Sequence, residues 1–230
     1  MKPKIVILSG AGISQESGIK TFRDANGLWE NHDIMEVASP QGWQKNPELV
    51  LEFYNRRRRQ LHEVKPNDAH KAITRLQEYF PVHVITQNVD DLHERAGNKN
   101  VLHLHGELFK VRSEKNDNLI YEWKKDLHLG DKAEDGAQLR PHIVWFGEPV
   151  PMIEKAIPLV QEADIFIIVG TGMQVYPAAG LVNYLRPDAT VYYIDPNPQA
   201  VFIDNPVAII DQKAGVGMPV LVDKLIKDYA

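Results

Sequence analysis

The sequence predicts an α/β protein: a parallel sheet with helices on both faces, and a small module made from two insertions. Three observations carry that expectation. Short runs of apolar residues recur without polar alternation, the mark of strands buried on both faces. Helical patterns lie between several of these runs. The first run leads into Gly10-Ala11-Gly12, where a strand would turn into a helix beside a bound ligand.

The elements follow in chain order. KIVIL (Lys4–Leu8) is a buried strand. The stretch 27–64 is mostly helical, and its main helix starts at Asn46-Pro47-Glu48: a capping side chain, a proline at the first helical position and an acid in the first turn. Further strands are expected at Val82–Ile85, Val101–Leu104, Ile143–Phe146, Ile165–Val169, Val191–Ile194 and Val207–Ile210. Helices are expected over Asp68–Glu78, Met152–Gln161, Ala178–Leu185 and Pro219–Lys227, with Pro158 kinking or breaking the second of these. The stretch 110–140 is polar, with SEKNDN and GDKAEDG as turn material. A single domain, 1–230, is expected: a main part from 1–26, 65–109 and 141–230, and a small module from 27–64 and 110–140.

Composition narrows the function. The 230 residues are 43% hydrophobic and 25% charged, ordinary values for a globular domain. A net charge of -5 argues against a nucleic-acid partner. No apolar run is long enough to span a membrane, and the N-terminal run lacks the longer apolar core and cleavage site of a signal peptide. A cytoplasmic location and a monomer are expected. The chain has no cysteine, which excludes disulfides and thiolate metal sites.

The helix from Pro47 carries four consecutive arginines, Arg56 to Arg59. Projected at about 100° per residue, Leu49, Val50, Phe53, Tyr54, Leu61 and Val64 share an apolar face. Arg57 falls in the middle of that face, Arg58 at its border, and Arg56 and Arg59 outside it. Charge runs are usually solvated, and Arg56, Arg58 and Arg59 are expected to be so. Arg57 either snorkels along its stem or awaits an anion from elsewhere.

Six motifs occur in a fixed order: GAGISQESGIKTFRD (Gly10–Asp24), TQNVD (Thr86–Asp90), HLHGEL (His103–Leu108), VWFGE (Val144–Glu148), GTGMQVYPAAG (Gly170–Gly180) and KAG (Lys213–Gly215). In this order they resemble the sirtuins, NAD-dependent protein-lysine deacylases, over nearly the whole chain. The resemblance implies a Rossmann-like fold with NAD as co-substrate and acylated lysine in a protein or peptide as substrate. The acyl oxygen would attack the ribose C1′ as nicotinamide leaves, a base would activate a ribose hydroxyl, and the products would be free lysine, nicotinamide and O-acyl-ADP-ribose.

The resemblance also assigns roles. His105 would be the catalytic base, a task suited to histidine near neutral pH. His103, two residues earlier, would share its facing on a strand. Asn88 is the second catalytic candidate. Asn88 and Gln87 would lie near the nicotinamide ribose and Asp90 on the carboxamide, with Val89 a further cofactor contact; Asp90 could also cap a helix at Leu92. Gly10, Ala11, Gly12, Ile13 and Ser14 would hold the pyrophosphate. Phe22 and Arg23 would cover the reacting ribose, with Trp29 on the same cofactor side. Gly170, Thr171 and Gly172 would hold phosphate or ribose. Asp195, Pro196 and Asn197 would reach the adenosine ribose, and Ala214 would flank the adenine. Val144, Phe146, Gly147 and Glu148 would form a strand edge that pairs with the substrate peptide. FYNRRRRQL resembles the bacterial Tyr-x-x-Arg subgroup, which removes acidic acyl groups, so Tyr54 and Arg57 would take the carboxylate of succinyl- or malonyl-lysine.

The chain also departs from the family pattern. Most sirtuins hold the small module with zinc on two cysteine pairs; here Ser113 falls near the first, and no zinc is expected. Leu119, Tyr121, Trp123 and Leu127 are candidates to hold the module by packing. Gly172 replaces a common serine, and Asp195 a common asparagine. Two other functions share the resemblance: a protein ADP-ribosyltransferase, and a non-catalytic NAD or ADP-ribose sensor. His105 and a complete QNVD favour deacylation.

Overall fold

The computed structural model describes residues 2–20, 28–29 and 32–230, with Leu28 and Trp29 described by backbone only. The first strand, β1 (Ile5–Ser9), leads into α1 (Ala11–Gln15). A two-residue ladder pairs β2 (Leu28–Trp29) with β3 (His32–Asp33). Three helices follow: α2 (Ile34–Val37), α3 (Pro40–Lys45) and α4 (Pro47–Glu63). As its sequence requires, α4 is capped by Asn46, whose Oδ1 accepts from Leu49 N at 3.1 Å.

Then come α5 (Asp68–Leu76), β4 (Val82–Thr86), α6 (Leu92–Ala96), β5 (Val101–His103), β6 (Gly106–Ser113), β7 (Ile120–Glu122) and β8 (Leu139–Ile143). The last third holds α7 (Ile153–Gln161), β9 (Ile165–Val169), a 3₁₀ helix (Ala178–Tyr184), β10 (Thr190–Ile194), β11 (Val207–Ile210) and α8 (Ala214–Tyr229).

Six strands form one parallel sheet in the order β11-β10-β9-β1-β4-β5. The period of two along each strand sorts its side chains between two cores. Ile5 and Ile7 of β1, with Ile165 and Ile167 of β9, face the layer that contains Ile73 and Leu76 of α5 and Leu221 and Leu225 of α8. Val6 and Leu8, with Phe166 and Ile168, face the layer of Ala156 and Val160 from α7. Both sets are buried, so these strands read as unbroken apolar runs. Each fully buried isoleucine contributes about 1.5–3 kcal/mol over an exposed one.

A third core belongs to the small module. Val50, Phe53, Tyr54 and Leu61 of α4 pack there against Leu108, Val111, Leu127, Leu139 and Trp145. Its sheet is antiparallel, in the order β7-β6-β8.

The structure corrects several expectations. Ile143–Phe146 is not a strand of the main sheet. The strand is β8, Leu139–Ile143, which pairs with β6 from Ser113↔Leu139 to Gly106↔Ile143, and the chain leaves the sheet at Val144. The stretch 110–140 is therefore not turn material alone; it carries the second half of β6, all of β7 and the start of β8. Pro158 does not break α7, which continues to Gln161. The helix expected at Ala178 is 3₁₀, and α8 begins five residues before Pro219. Of the four packing candidates only Leu127 is fully buried; Leu119, Tyr121 and Trp123 pack against the core from its rim.

Arg58 is the largest departure. Expected in solvent, it is 1% exposed. Its Nε donates to Leu108 O at 2.9 Å and its Nη1 to Asn55 Oδ1 at 2.7 Å. Asn55 in turn exchanges two bonds with the backbone of Leu127, at 2.9 and 2.8 Å. Burial pulls the Arg58 pKa down to about 10, against the attraction of Asp126. Arg56 and Arg59 are exposed, as expected, and both sit beside Glu52.

Ser113, at the end of β6, is buried. Its hydroxyl donates to Asp135 Oδ2 at 2.7 Å and accepts from Lys115 N and Asn116 N. Among the described residues no cluster of three His, Asp or Glu could hold a metal ion. Among them, too, no helix is long and apolar enough to cross a membrane.

Candidate active site

The site begins where the sheet changes direction. From β1 the chain builds outward through β4 to β5, then returns to β9 on the other side of β1 and builds toward β11. Loops leaving β1 and β9 therefore diverge, and a crevice opens beyond their C-terminal ends. A cleft of about 940 Å³ occupies that place and runs on to α4.

The floor of the cleft is made by two glycine loops in backbone contact. Gly10 N donates to Val169 O at 3.0 Å, and Gly12 N to Gly170 O at 2.8 Å. A Cβ on Gly12 would lie 2.8 Å from Gly170 Cα, and one on Gly170 would lie 2.3 Å from Ile13 N. Gly170 also has φ +62, which a side chain rarely adopts. The glycines thus serve first to bring the loops together. Their amides are bonded within the protein, and both Gly10 and Gly12 line the cleft. The Ile13 side chain is fully buried in the core, and its N donates to Gly10 O. Ala11, Ser14, Thr171 and Gly172 stand on the wall. Beyond β10 and at the start of α8, the cleft is lined by Asp195, Pro196, Asn197 and Ala214. Asp195 is 1% exposed and spends Oδ1 on Asn197 N at 2.9 Å.

The loop 86–90 after β4 positions the next part. Gln87 Nε2 reaches across to Thr171 Oγ1 at 3.0 Å. Asn88 Nδ2 donates to Gly10 O and to Ser14 Oγ, both at 3.1 Å. Asp90 is buried; its Oδ1 accepts from Leu92 N at 3.1 Å, but the N-cap of α6 is Asp91, so Asp90 stands one residue ahead of the cap position. Burial raises its pKa, against a hydrogen bond from Ser14. Val89 lies between these two on the cleft wall, and its carbonyl accepts from Leu108 N at 2.7 Å.

Carbonyls of the same loop sort the two histidines. His105 Nδ1 lies 3.0 Å from Gln87 O. A carbonyl only accepts, so Nδ1 carries the hydrogen and Nε2 keeps its lone pair. His105 lines the cleft, and burial lowers its pKa against the Gln87 bond. His103 is different. Its Nδ1 meets Asn88 O at 2.9 Å and its Nε2 meets Glu94 Oε1 at 2.7 Å. Both partners are acceptors, so both ring nitrogens carry hydrogens and neither can take a proton. Burial opposes that charge, but Glu94 outweighs it and raises the pKa. The shared facing expected of the pair fails because β5 ends at His103.

The far end of the cleft is made by side chains. Tyr54 and Arg57 reach it from α4, both buried. Arg57 Cζ sits 5.7 Å from the Phe53 ring centroid. Burial pushes the Tyr54 hydroxyl up to about 12, against the nearby Arg57 charge. Val144, Phe146, Gly147 and Glu148 line this end, but they do not form the strand edge the sequence predicts. Val144 N donates to His105 O, Phe146 N to Ala38 O and Glu148 N to Trp145 O, so those three amides are already used.

Sequence reasoning missed Trp145, which stands among these residues. Its Nε1 donates to the Tyr54 hydroxyl oxygen at 3.0 Å. The only signal was a tryptophan inside a motif whose other members were assigned. Phe22 and Arg23, and the side chain of Trp29, lie outside the described residues.

A parallel α/β sheet with a cleft at its switch point places the chain among the open α/β proteins that bind a ligand beyond the carboxyl ends of their strands. The chain belongs to the Sir2 family, which its residues 10–177 match. An NAD-dependent protein deacylase of Helicobacter pylori is 61% identical, over 97% of this chain and 97% of that protein. The crystal structure of a Sir2 homologue–NAD complex superposes with a TM-score of 0.89 at 37% identity, covering all of this chain and 91% of the other. A Sir2 protein bound to an acetylated peptide superposes with a TM-score of 0.80 at 26% identity, covering 97% and 93%.

Proposed function

We propose that the chain is an NAD-dependent protein-lysine deacylase that prefers acidic acyl groups, succinyl and malonyl, over acetyl. The names of its relatives support the deacylase activity. The acyl preference rests on one observation: a guanidinium, Arg57, buried at the end of the cleft beside the Tyr54 hydroxyl. An acetyl group ends in a methyl and has no use for either. A carboxylate there would take charge-assisted bonds from Arg57 and a further one from Tyr54.

The cleft fits NAD. The Gly10–Gly12 and Gly170 loops leave no room for a Cβ between them, and their contact sets the floor at the switch point. NAD supplies the electrophilic ribose carbon and the hydroxyl that receives the acyl group. The chain's own residues bind and move protons around it. Gln87 O fixes the tautomer of His105, whose Nε2 accepts a proton within the cleft. Asn88 is held by Gly10 O and Ser14 Oγ, which orients its remaining amide oxygen. The lowered pKa keeps His105 neutral, and so basic, at neutral pH. Its activity is lost as pH falls through that lowered value, so the acid limb lies below about 6.5, the ordinary histidine value.

The test offers one lysyl peptide in acetyl, succinyl and malonyl forms, with and without NAD, and follows products by mass spectrometry. Faster NAD-dependent loss of the acidic groups, with O-acyl-ADP-ribose appearing, is the expected result. His105→Tyr should abolish turnover of all three. Preference for acetyl would overturn the acyl assignment and leave the deacylase. No turnover with NAD still bound would overturn both.

A further inference from the structure

Hydrogen-bond direction at the far end of the cleft carries one step more, resting on the acidic-acyl reading above. An indole nitrogen has one hydrogen and no lone pair to offer, so the Trp145–Tyr54 bond runs in one direction only: the indole donates and the hydroxyl oxygen accepts. The Tyr54 O–H hydrogen must then go elsewhere. Among the described residues no acceptor receives it. Arg57 cannot, because a guanidinium only donates. Glu148, the nearby carboxylate, is already taken up. Its Oε1 accepts from Arg140 Nη1 at 2.7 Å and Arg112 Nη2 at 3.4 Å, and its Oε2 from Trp145 N at 2.7 Å and Arg140 Nη2 at 3.1 Å.

The indole is held where this bond needs it. Trp145 is 2% exposed. The Arg140 guanidinium lies over its ring, 3.4 Å from the centroid, and Trp43 packs at 5.8 Å. Glu148 grips both the Trp145 backbone and Arg140, so one carboxylate fixes the ring from two sides. The Tyr54 ring is itself fully buried.

We propose that Trp145 is a specificity-positioning residue, which by donating to Tyr54 fixes that hydroxyl as a donor into the cleft and makes the acyl end selective for a carboxylate. Tyr54 O–H and Arg57 then both act as donors at this end of the cleft. A carboxylate is acceptor-only, and matches them. A neutral acyl group that ends in a methyl gains nothing from the arrangement.

The experiment compares kcat/KM for succinyl- and acetyl-lysine versions of one peptide in the wild-type enzyme, Trp145→Phe, Tyr54→Phe and the double variant. Phenylalanine keeps a ring for Arg140 and Trp43 but removes the N–H. Trp145→Phe is expected to lower the succinyl-to-acetyl ratio about fivefold to tenfold, the range of one neutral hydrogen bond, with the change in KM for the succinyl peptide. In the Tyr54→Phe background the same substitution should alter the ratio less than about twofold, as coupled sites do when they act through one contact. Benzothienylalanine at 145, which has sulfur in place of N–H in a ring of the same size, should reproduce the effect even if Trp145→Phe folds poorly. Equal losses on both peptides, or a ratio change that persists without the Tyr54 hydroxyl, would make Trp145 a packing residue and overturn the proposal alone. A wild-type enzyme with no succinyl preference, and a ratio that Tyr54→Phe leaves untouched, would overturn the acidic-acyl reading and this inference with it.

Discussion

The two ends of the cleft are built from different material. The floor at the switch point is backbone against backbone: Gly12 and Gly170 meet through main-chain atoms, with a 2.8 Å hydrogen bond between them. The far end is side chain against side chain: Tyr54, Arg57 and Trp145, braced by Arg140 and Glu148. The first end has no spare volume, so an added atom disrupts it. The second can exchange one group for another and keep its shape.

The hardest way to break the contrast is Gly170→Ala. The new Cβ would lie 2.3 Å from Ile13 N, at a φ of +62. Left-handed backbone costs a side chain about 1–2 kcal/mol, and forcing the loops apart about 1–3 more. The variant should lose about 3 kcal/mol of stability, a fall of roughly 10 °C in Tm, and its NAD affinity should collapse. Thermal melts with and without NAD measure both. Wild-type stability and NAD binding would mean that the loops can part and that the floor is no more rigid than the far wall.

Arg57→Met sharpens the other half. Methionine keeps an unbranched apolar stem on the same face of α4. A hydrogen bond to a charged group is worth about 1.5–3 kcal/mol, so desuccinylation should fall about 10- to 100-fold. Deacetylation should be spared or improved, and KM for NAD should stay within about twofold, because the floor is untouched. Equal loss on both substrates would return Arg57 to a structural role.

The same contrast explains what the sequence revealed. The main sheet was legible because its strands are buried on both faces: KIVIL and IFIIV have no other reading in a chain of this size. Arg57 was legible because helical projection isolates a charge on an apolar face. Arg58 was not. Projection places it at a border, and its burial is decided by Leu108 and Leu127, which arrive from about 50 and 70 residues further along the chain. The antiparallel sheet was obscured for a related reason. β7 is half-exposed, and β6 and β8 carry Lys110, Arg112 and Arg140 among their apolar residues. No count of residues could show that Glu148 would neutralise two of those arginines from another segment. His103 and His105 could be separated only once the carbonyls of Asn88 and Gln87 were in place.

The smallest effect concerns how the module is held without cysteine. Ser113 ends β6 with a buried hydroxyl that joins three points: Asp135, Lys115 N and Asn116 N. Asp135 Oδ1 also accepts from Ala137 N, so the joint ties β6 to the turn at 133–137. The hydrogen bond from the Ser113 hydroxyl, helped by that from Ala137 N, lowers the Asp135 pKa, so the carboxylate is charged and accepting at neutral pH. Both turns lie at the surface, where water can replace part of what is lost. Ser113→Ala should therefore cost about 1 kcal/mol, the usual worth of one such bond, and lower Tm by about 2–4 °C. A strong chelator should shift neither protein's Tm. A joint made of hydrogen bonds responds to the first change and not to the second; a metal-held module would respond to both, and a chelator-induced fall in the wild-type Tm, reversed by zinc, would overturn this account of the module.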